Sequence, residues 1–236
     1  MTTDQTTATR PLPTTSLRKT ALIAGVFYLL TFVSIPTLAL YGRVHDPNYI
    51  VSPGSNTPVL VGGVLEVIVA LAGIGTAVVL YPVVKRQNEA VALGFVSARV
   101  LEAATIFVGV ASLLTVVTLR QAGAGADGLV AGQALVAFYD RVFLLGQSFI
   151  PALNALLLGS LLYQSRLVPR VLPLLGLIGA PLLIANTIAV MFGITSGPIY
   201  VLTGIGVLPI ALWEFSLGVR LTVKGFNPSA ITSLSA

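Results

Sequence analysis

Apolar residues in this chain gather into six long runs separated by short polar segments. A helix rises about 1.5 Å per residue, so about 20 apolar residues cross a hydrocarbon layer about 30 Å thick. Six runs reach that length: 21–40, 59–84, 90–119, 140–163, 171–192 and 199–221. The fourth has a second reading. Residues 129–139 are also apolar, and joined to the fourth run they make one long helix bent near Pro151. The pattern predicts an all-α integral membrane bundle of six transmembrane helices. It divides the chain into an N-terminal tail (1–17), a six-span domain (18–226) and a short C-terminal tail (227–236). The first tail is rich in threonine and reads as disordered.

Composition closes off the alternatives. The chain has 13 Lys and Arg and 8 Asp and Glu, 9% of 236 residues, where a soluble domain carries about a quarter. With 56% hydrophobic residues it is too apolar for a soluble globule or a disordered segment. There is no cysteine, which excludes disulfides, thiolate metal sites and thiol nucleophiles. The single histidine, His45, lies between runs and argues against haem or a multi-histidine metal site. No phosphate-binding, dinucleotide, zinc-protease or serine-hydrolase motif is present. No catalytic residue, metal ligand or cofactor is therefore assigned.

Charge placement sets an expected orientation. With the N-terminus in the cytoplasm, nine basic residues lie inside: Arg10, Arg18, Lys19, Lys85, Arg86, Arg166, Arg170, Arg220 and Lys224. Only Arg43 and Arg120 lie outside. This bias predicts that both termini are cytoplasmic. The net charge of +5 then reflects anchoring beside anionic lipid, with the bilayer as partner and no role for nucleic acid. Tyr41, Tyr49, Tyr139 and Tyr200 near one set of span ends, and Tyr81 and Tyr163 near the other, read as aromatic belts. Only Tyr28 falls in mid-span.

Six charged residues remain within spans or at their margins: Glu66, Arg99, Glu102, Asp140, Arg141 and Glu214. Each costs about 2.5 to 3.5 kcal/mol at a helix centre, so such residues turn inward and pair. Depth arithmetic places Glu66 and Glu102 nearly level, and lets Arg99 reach both Glu214 and Glu102, its i+3 neighbour. Gly62, Glu66, Ala70, Gly73 and Ala77 share one face, a stripe of small residues suited to close helix contact. Asn154 and Asn186 add candidates for interhelical hydrogen bonds. The expected centre is thus a cluster of Glu66, Arg99, Glu102 and Glu214, with Asp140, Arg141, Asn154 and Asn186 as secondary candidates. Four acids against two arginines leave two negative charges that need a proton, water or a cation. Three readings follow: a transporter-like bundle binding a small solute or cation, a structural protein whose charges specify packing, and a membrane enzyme using paired carboxylates on lipid. Small-residue faces also allow homo-oligomerisation.

Several stretches carry a resemblance. They are Leu17-Arg18-Lys19-Thr20-Ala21-Leu22-Ile23-Ala24-Gly25, Asp46-Pro47-Asn48-Tyr49-Ile50, and Tyr81-Pro82-Val83-Val84-Lys85-Arg86-Gln87-Asn88-Glu89. Arg99-Val100-Leu101-Glu102, Asn154-Ala155-Leu156-Leu157-Leu158-Gly159, Ser165-Arg166-Leu167-Val168-Pro169-Arg170 and Trp213-Glu214-Phe215-Ser216-Leu217-Gly218 complete them. Together they resemble the bacterial domain-of-unknown-function family 4386 over residues 17–226. The resemblance implies a multi-pass protein of the bacterial inner membrane. It implies no activity, substrate or catalytic residue.

Overall fold

The computed structural model describes residues 14–194 and 198–233, with side chains over 16–194 and 206–230. Residues 1–13 of the expected N-terminal tail and the last three residues of the C-terminal one lie outside the described residues. The described elements are helical: α1 (Thr14–Leu30), α2 (Thr37–Leu40), α3 (Thr57–Val84), α4 (Glu89–Gln121), α5 (Asp127–Phe143), α6 (Ile150–Ser165), α7 (Val171–Met191), α8 (Pro198–Val223) and α9 (Pro228–Ser233). A 3₁₀ turn (Thr31–Ser34) links α1 towards α2, and a π-helical segment (Leu144–Phe149) joins α5 to α6.

Six helical stretches are long and apolar enough to cross a membrane: Ser16–Leu40, Thr57–Val84, Glu89–Gln121, Asp127–Ser165, Val171–Met191 and Gly206–Val223. The six-span fold read from the pattern stands, with three boundary changes. The first span begins within the expected tail. Part of the expected C-terminal tail forms α9. The fourth span is the long alternative, 39 residues rather than 140–163. Pro151 has no N–H to give, and the ladder loosens just before it: Ile150 N–H bonds back to the Leu145 carbonyl, five residues earlier.

Each span packs on the next, and the last returns to the first. α1 meets α3, α3 meets α4, α4 meets α5 and α6, α6 meets α7, α7 meets α8, and α8 closes on α1. Small residues permit these approaches. A Cβ added at Gly25 would stand 2.6 Å from the Thr222 backbone nitrogen on α8. Gly176 on α7 receives the indole of Trp213, the one tryptophan, which is fully buried. The predicted stripe Gly62, Glu66, Ala70, Gly73 and Ala77 is buried throughout.

Polar groups tie the two ends of the ring. Where the first and last spans meet, Arg18 donates to the carbonyls of Leu221 (3.0 Å), Thr222 (2.8 Å) and Val223 (3.1 Å), which α8 leaves unpaired at its C-terminus. On the same side the Asn88 side chain accepts from Val91 N–H and caps α4. At the opposite end the two arginines that depart from the charge bias hold the 41–56 loop. Arg120 donates to the carbonyls of Ser52 (2.6 Å) and Gly54 (2.8 Å) and stacks on Tyr49, while Arg43 donates to the Pro53 carbonyl at 2.7 Å.

The apolar core has two main parts. One, around Tyr28, Leu80, Phe95, Leu158, Trp213 and Leu217, fills the half nearer the termini. The other, around Tyr41, Tyr49, Val59, Leu113 and Tyr139, lies under the 41–56 loop. The intramembrane charges sit between them. Three tyrosines read as belt residues belong to this second part: Tyr41, Tyr49 and Tyr139 are 4, 2 and 5% exposed. Their rings are covered by the loop and their neighbours, and the hydroxyls of Tyr49 and Tyr139 find acceptors inside the protein, Asn56 and Glu66.

Candidate functional site

Arg99 and Glu102 lie three residues apart on α4, hence on one face, and α8 brings Glu214 from the far side of the ring. Arg99 Nη1 donates to Glu102 Oε2 at 2.9 Å and Nη2 to Glu214 Oε1 at 2.8 Å. Asn154 on α6 donates to the same Glu102 Oε2 at 2.7 Å. Tyr28 on α1 supplies its hydroxyl to Arg99 Nη2 at 3.4 Å and its ring to the guanidinium, with Phe95 beside it. Gly73 on α3 lies beside the Arg99 side chain. Five spans therefore contribute to the group around Arg99, whose side chain is 3% exposed.

The arrangement is not closed. A cavity of about 280 Å³ lies against it, and each of the six spans lends a wall residue, among them Ser34, Gly73, Ile106, Gln147, Leu183 and Ile210. Arg99, Glu102 and Glu214 also line it. Glu102 uses Oε2 for both of its bonds and Glu214 uses Oε1 for Arg99. Among the described residues, Glu102 Oε1 and Glu214 Oε2 have no hydrogen-bond partner. Formal charges in the triad sum to −1. Phe32 and Phe143 add aromatic wall, and most of the remaining surface is aliphatic.

Glu66 stands apart from this triad. The sequence reading joins it to Glu102 and Arg99, because equal depth on neighbouring helices was the available measure. The structure gives Glu66 different partners: Tyr139 donates to Oε1 at 2.8 Å and Gln147 Nε2 donates to the same oxygen at 3.4 Å. Its Oε2 is buried with no partner. Gln147 also lines the central cavity, so it bridges the two groups.

The secondary candidates divide. Asn154 joins the triad, as above. Asn186 is buried on α7. Arg141 is exposed beside Leu144 and Met191, away from the triad. Asp140 is exposed and pairs with His45 Nε2 at 3.0 Å, while His45 Nδ1 lies 2.8 Å from the Tyr41 carbonyl. Tyr28, Tyr41, Tyr139 and Gln147 are site residues that the charge inventory passes over. A tyrosine in mid-span and a glutamine within an apolar run were the available signals.

The His45–Asp140 pair gives a pH prediction. Partial burial pulls the imidazole down, but acceptors at both ring nitrogens outweigh it and hold His45 above its ordinary range. The stabilisation is therefore fully present below the ordinary imidazole value and fades as pH rises through the raised one. The thermal midpoint in detergent should fall as pH climbs from about 6 through neutrality, by about 2 °C at most for so exposed a pair. Asp140→Asn should flatten that slope; an unchanged slope assigns the titration to another group.

The family described as Domain of unknown function (DUF4386) matches residues 23–225, most of the chain. No curated protein and no solved structure matches it.

Proposed function

The chain belongs to the DUF4386 family, and for this member we propose a transporter-like role in which the central cavity binds a small organic cation. One observation carries the reading: two carboxylates share a single arginine, leaving a formal charge of −1, and both line the same cavity. A positively charged solute completes that charge balance. The walls favour an ammonium group on a compact apolar body over a bare metal ion. Phe32 and Phe143 line it with aromatic rings of the kind that attract an ammonium, and the aliphatic surface gives oxygen-seeking ions few ligands. Among the described residues no group of three or more His, Asp or Glu is placed to hold a metal. The charge bias supports both termini on the cytoplasmic side, and the resemblance supports a bacterial inner membrane.

The second reading, a charge cluster that only specifies packing, draws on the direct pairing of Arg99 with both glutamates. Transport separates the two. Proteoliposomes carrying wild-type protein and loaded with unlabelled choline should accumulate external radiolabelled choline above protein-free vesicles. Glu214→Gln vesicles should stay at background. Wild-type protein that never exceeds background across a panel of small ammonium ions removes the transport reading and leaves the packing one.

A further inference from the structure

We infer that Glu66 is a proton-binding carboxyl, reached from the end of the bundle that carries the 41–56 loop through a cavity lined by His45, Asp140, Tyr41 and Tyr139. This site is separate from the arginine triad and does not depend on what the central cavity holds.

The first ground is charge. Glu66 is 1% exposed, and among the described residues no Lys, Arg or His lies within ion-pair distance of it. One turn along α3, Ala70 packs in an apolar cluster with Ala103, Ile106 and Val110 of α4. The fourth span contributes Tyr139 and Gln147, and the first span's end contributes Tyr41. Arg99 and Glu102, further along α4, are committed to each other and to Glu214. A bare carboxylate in hydrocarbon with no counter-charge is among the most costly groups a membrane protein can hold. Something positive must neutralise it.

The second ground decides what that is. The atoms aimed at Glu66 are donors: the Tyr139 O–H and the Gln147 N–H both point at Oε1. Metal ions need several oxygen acceptors, and this set does not supply them. A proton on Oε2 fits instead. Oε1 then serves as a carbonyl oxygen accepting two hydrogen bonds, and the Oε2 hydroxyl faces the neighbouring Tyr41 hydroxyl, itself buried and without a partner.

The third ground is access. A cavity of about 190 Å³ is lined by Thr37, Tyr41, His45, Tyr139, Asp140 and Phe143. At its mouth stand the exposed pair His45 and Asp140; at its base Tyr41 and Tyr139 meet edge to face at 5.5 Å. Tyr139 thus touches both the cavity and Glu66. As Tyr139 Oη passes its proton to Oε1 it takes a solvent proton from the cavity, and a half-turn of the carboxyl about its Cγ–Cδ bond then carries the bound proton to the Oε2 position, so one proton moves inward and the phenol is unchanged. Gln147, on the far side of Glu66, faces the central cavity and carries no titratable proton, so the relay stops at Glu66.

Infrared difference spectroscopy on protein reconstituted in lipid tests this. A protonated-carboxyl C=O band should be present at neutral pH, shift on transfer to D₂O, disappear in Glu66→Gln and persist in Glu214→Gln. Addition of sodium or potassium should leave it in place. Tyr139→Phe keeps the carboxyl, covers the case in which Glu66→Gln does not fold, and should slow the D₂O exchange of the band about tenfold, the rate equivalent of one lost hydrogen bond. No such band at neutral pH, a band unaffected by Glu66→Gln, or one abolished by sodium overturns the proton site. Exchange unchanged in Tyr139→Phe overturns the route.

Discussion

Arg99→Ala should lower the thermal midpoint of the purified protein by about 10 °C. The substitution removes the one cation held between Glu102 and Glu214 and leaves both carboxylates facing each other across the ring. Breaking a buried ion pair from one side costs about 3 to 5 kcal/mol, and a chain of this size loses about 2 to 4 °C per kcal/mol. Lost packing of the guanidinium against Tyr28 and Phe95 adds to the effect. The double variant Arg99→Gln/Glu102→Gln should recover part of the loss, because it restores the triad's formal charge of −1 while Glu214 remains unpaired. Fluorescence or calorimetric melting in one detergent reads all three proteins. A midpoint for Arg99→Ala within a degree or two of wild type would mean that the two glutamates do not need their arginine.

Much of this was legible in the residues. Segment length alone gave the six spans, because crossing hydrocarbon requires about 20 apolar residues whatever the protein does. Arg99, Glu102 and Glu214 were also readable as partners, since i+3 spacing and matched depth constrain charges that have nowhere else to go. Glu66 was misplaced for a related reason. Depth fixes position along the membrane normal and says little about which helix faces which, so two level carboxylates could be assigned to one cluster when their helices turn them to different partners. The tyrosines expose a second limit. Tyr41 and Tyr139 sit near span ends, where a headgroup position is the common outcome, but the 41–56 loop covers them and makes them interior. Loop placement depends on contacts distant in sequence, such as Arg120 with Ser52 and Gly54, which periodicity does not encode. The central cavity is further still from the pattern, because all six spans lend residues to its wall.

Glu214→Gln should behave in the opposite way to Arg99→Ala. It removes the surplus negative charge and keeps Arg99 paired with Glu102, so the triad becomes neutral and stays bonded. Stability without ligand should change by about 1 kcal/mol at most. Affinity for an ammonium ligand should fall by at least about 30-fold, the equivalent of about 2 kcal/mol for one partner of a buried charge contact. The contrast is diagnostic. A structural cluster predicts a stability loss for Glu214→Gln and no binding phenotype, whereas a cation site predicts the reverse.

The claim that the acid excess at the centre of the ring serves a cation comes down to charge discrimination at constant shape. Choline and its neutral carbon analogue 3,3-dimethylbutan-1-ol differ chiefly in one positive charge. Titrated calorimetrically into the wild-type protein in nanodiscs, choline should bind at least about 30-fold more tightly than the neutral analogue, and Glu214→Gln should erase the difference. Equal affinity for the two, or binding of neither, would contradict the account.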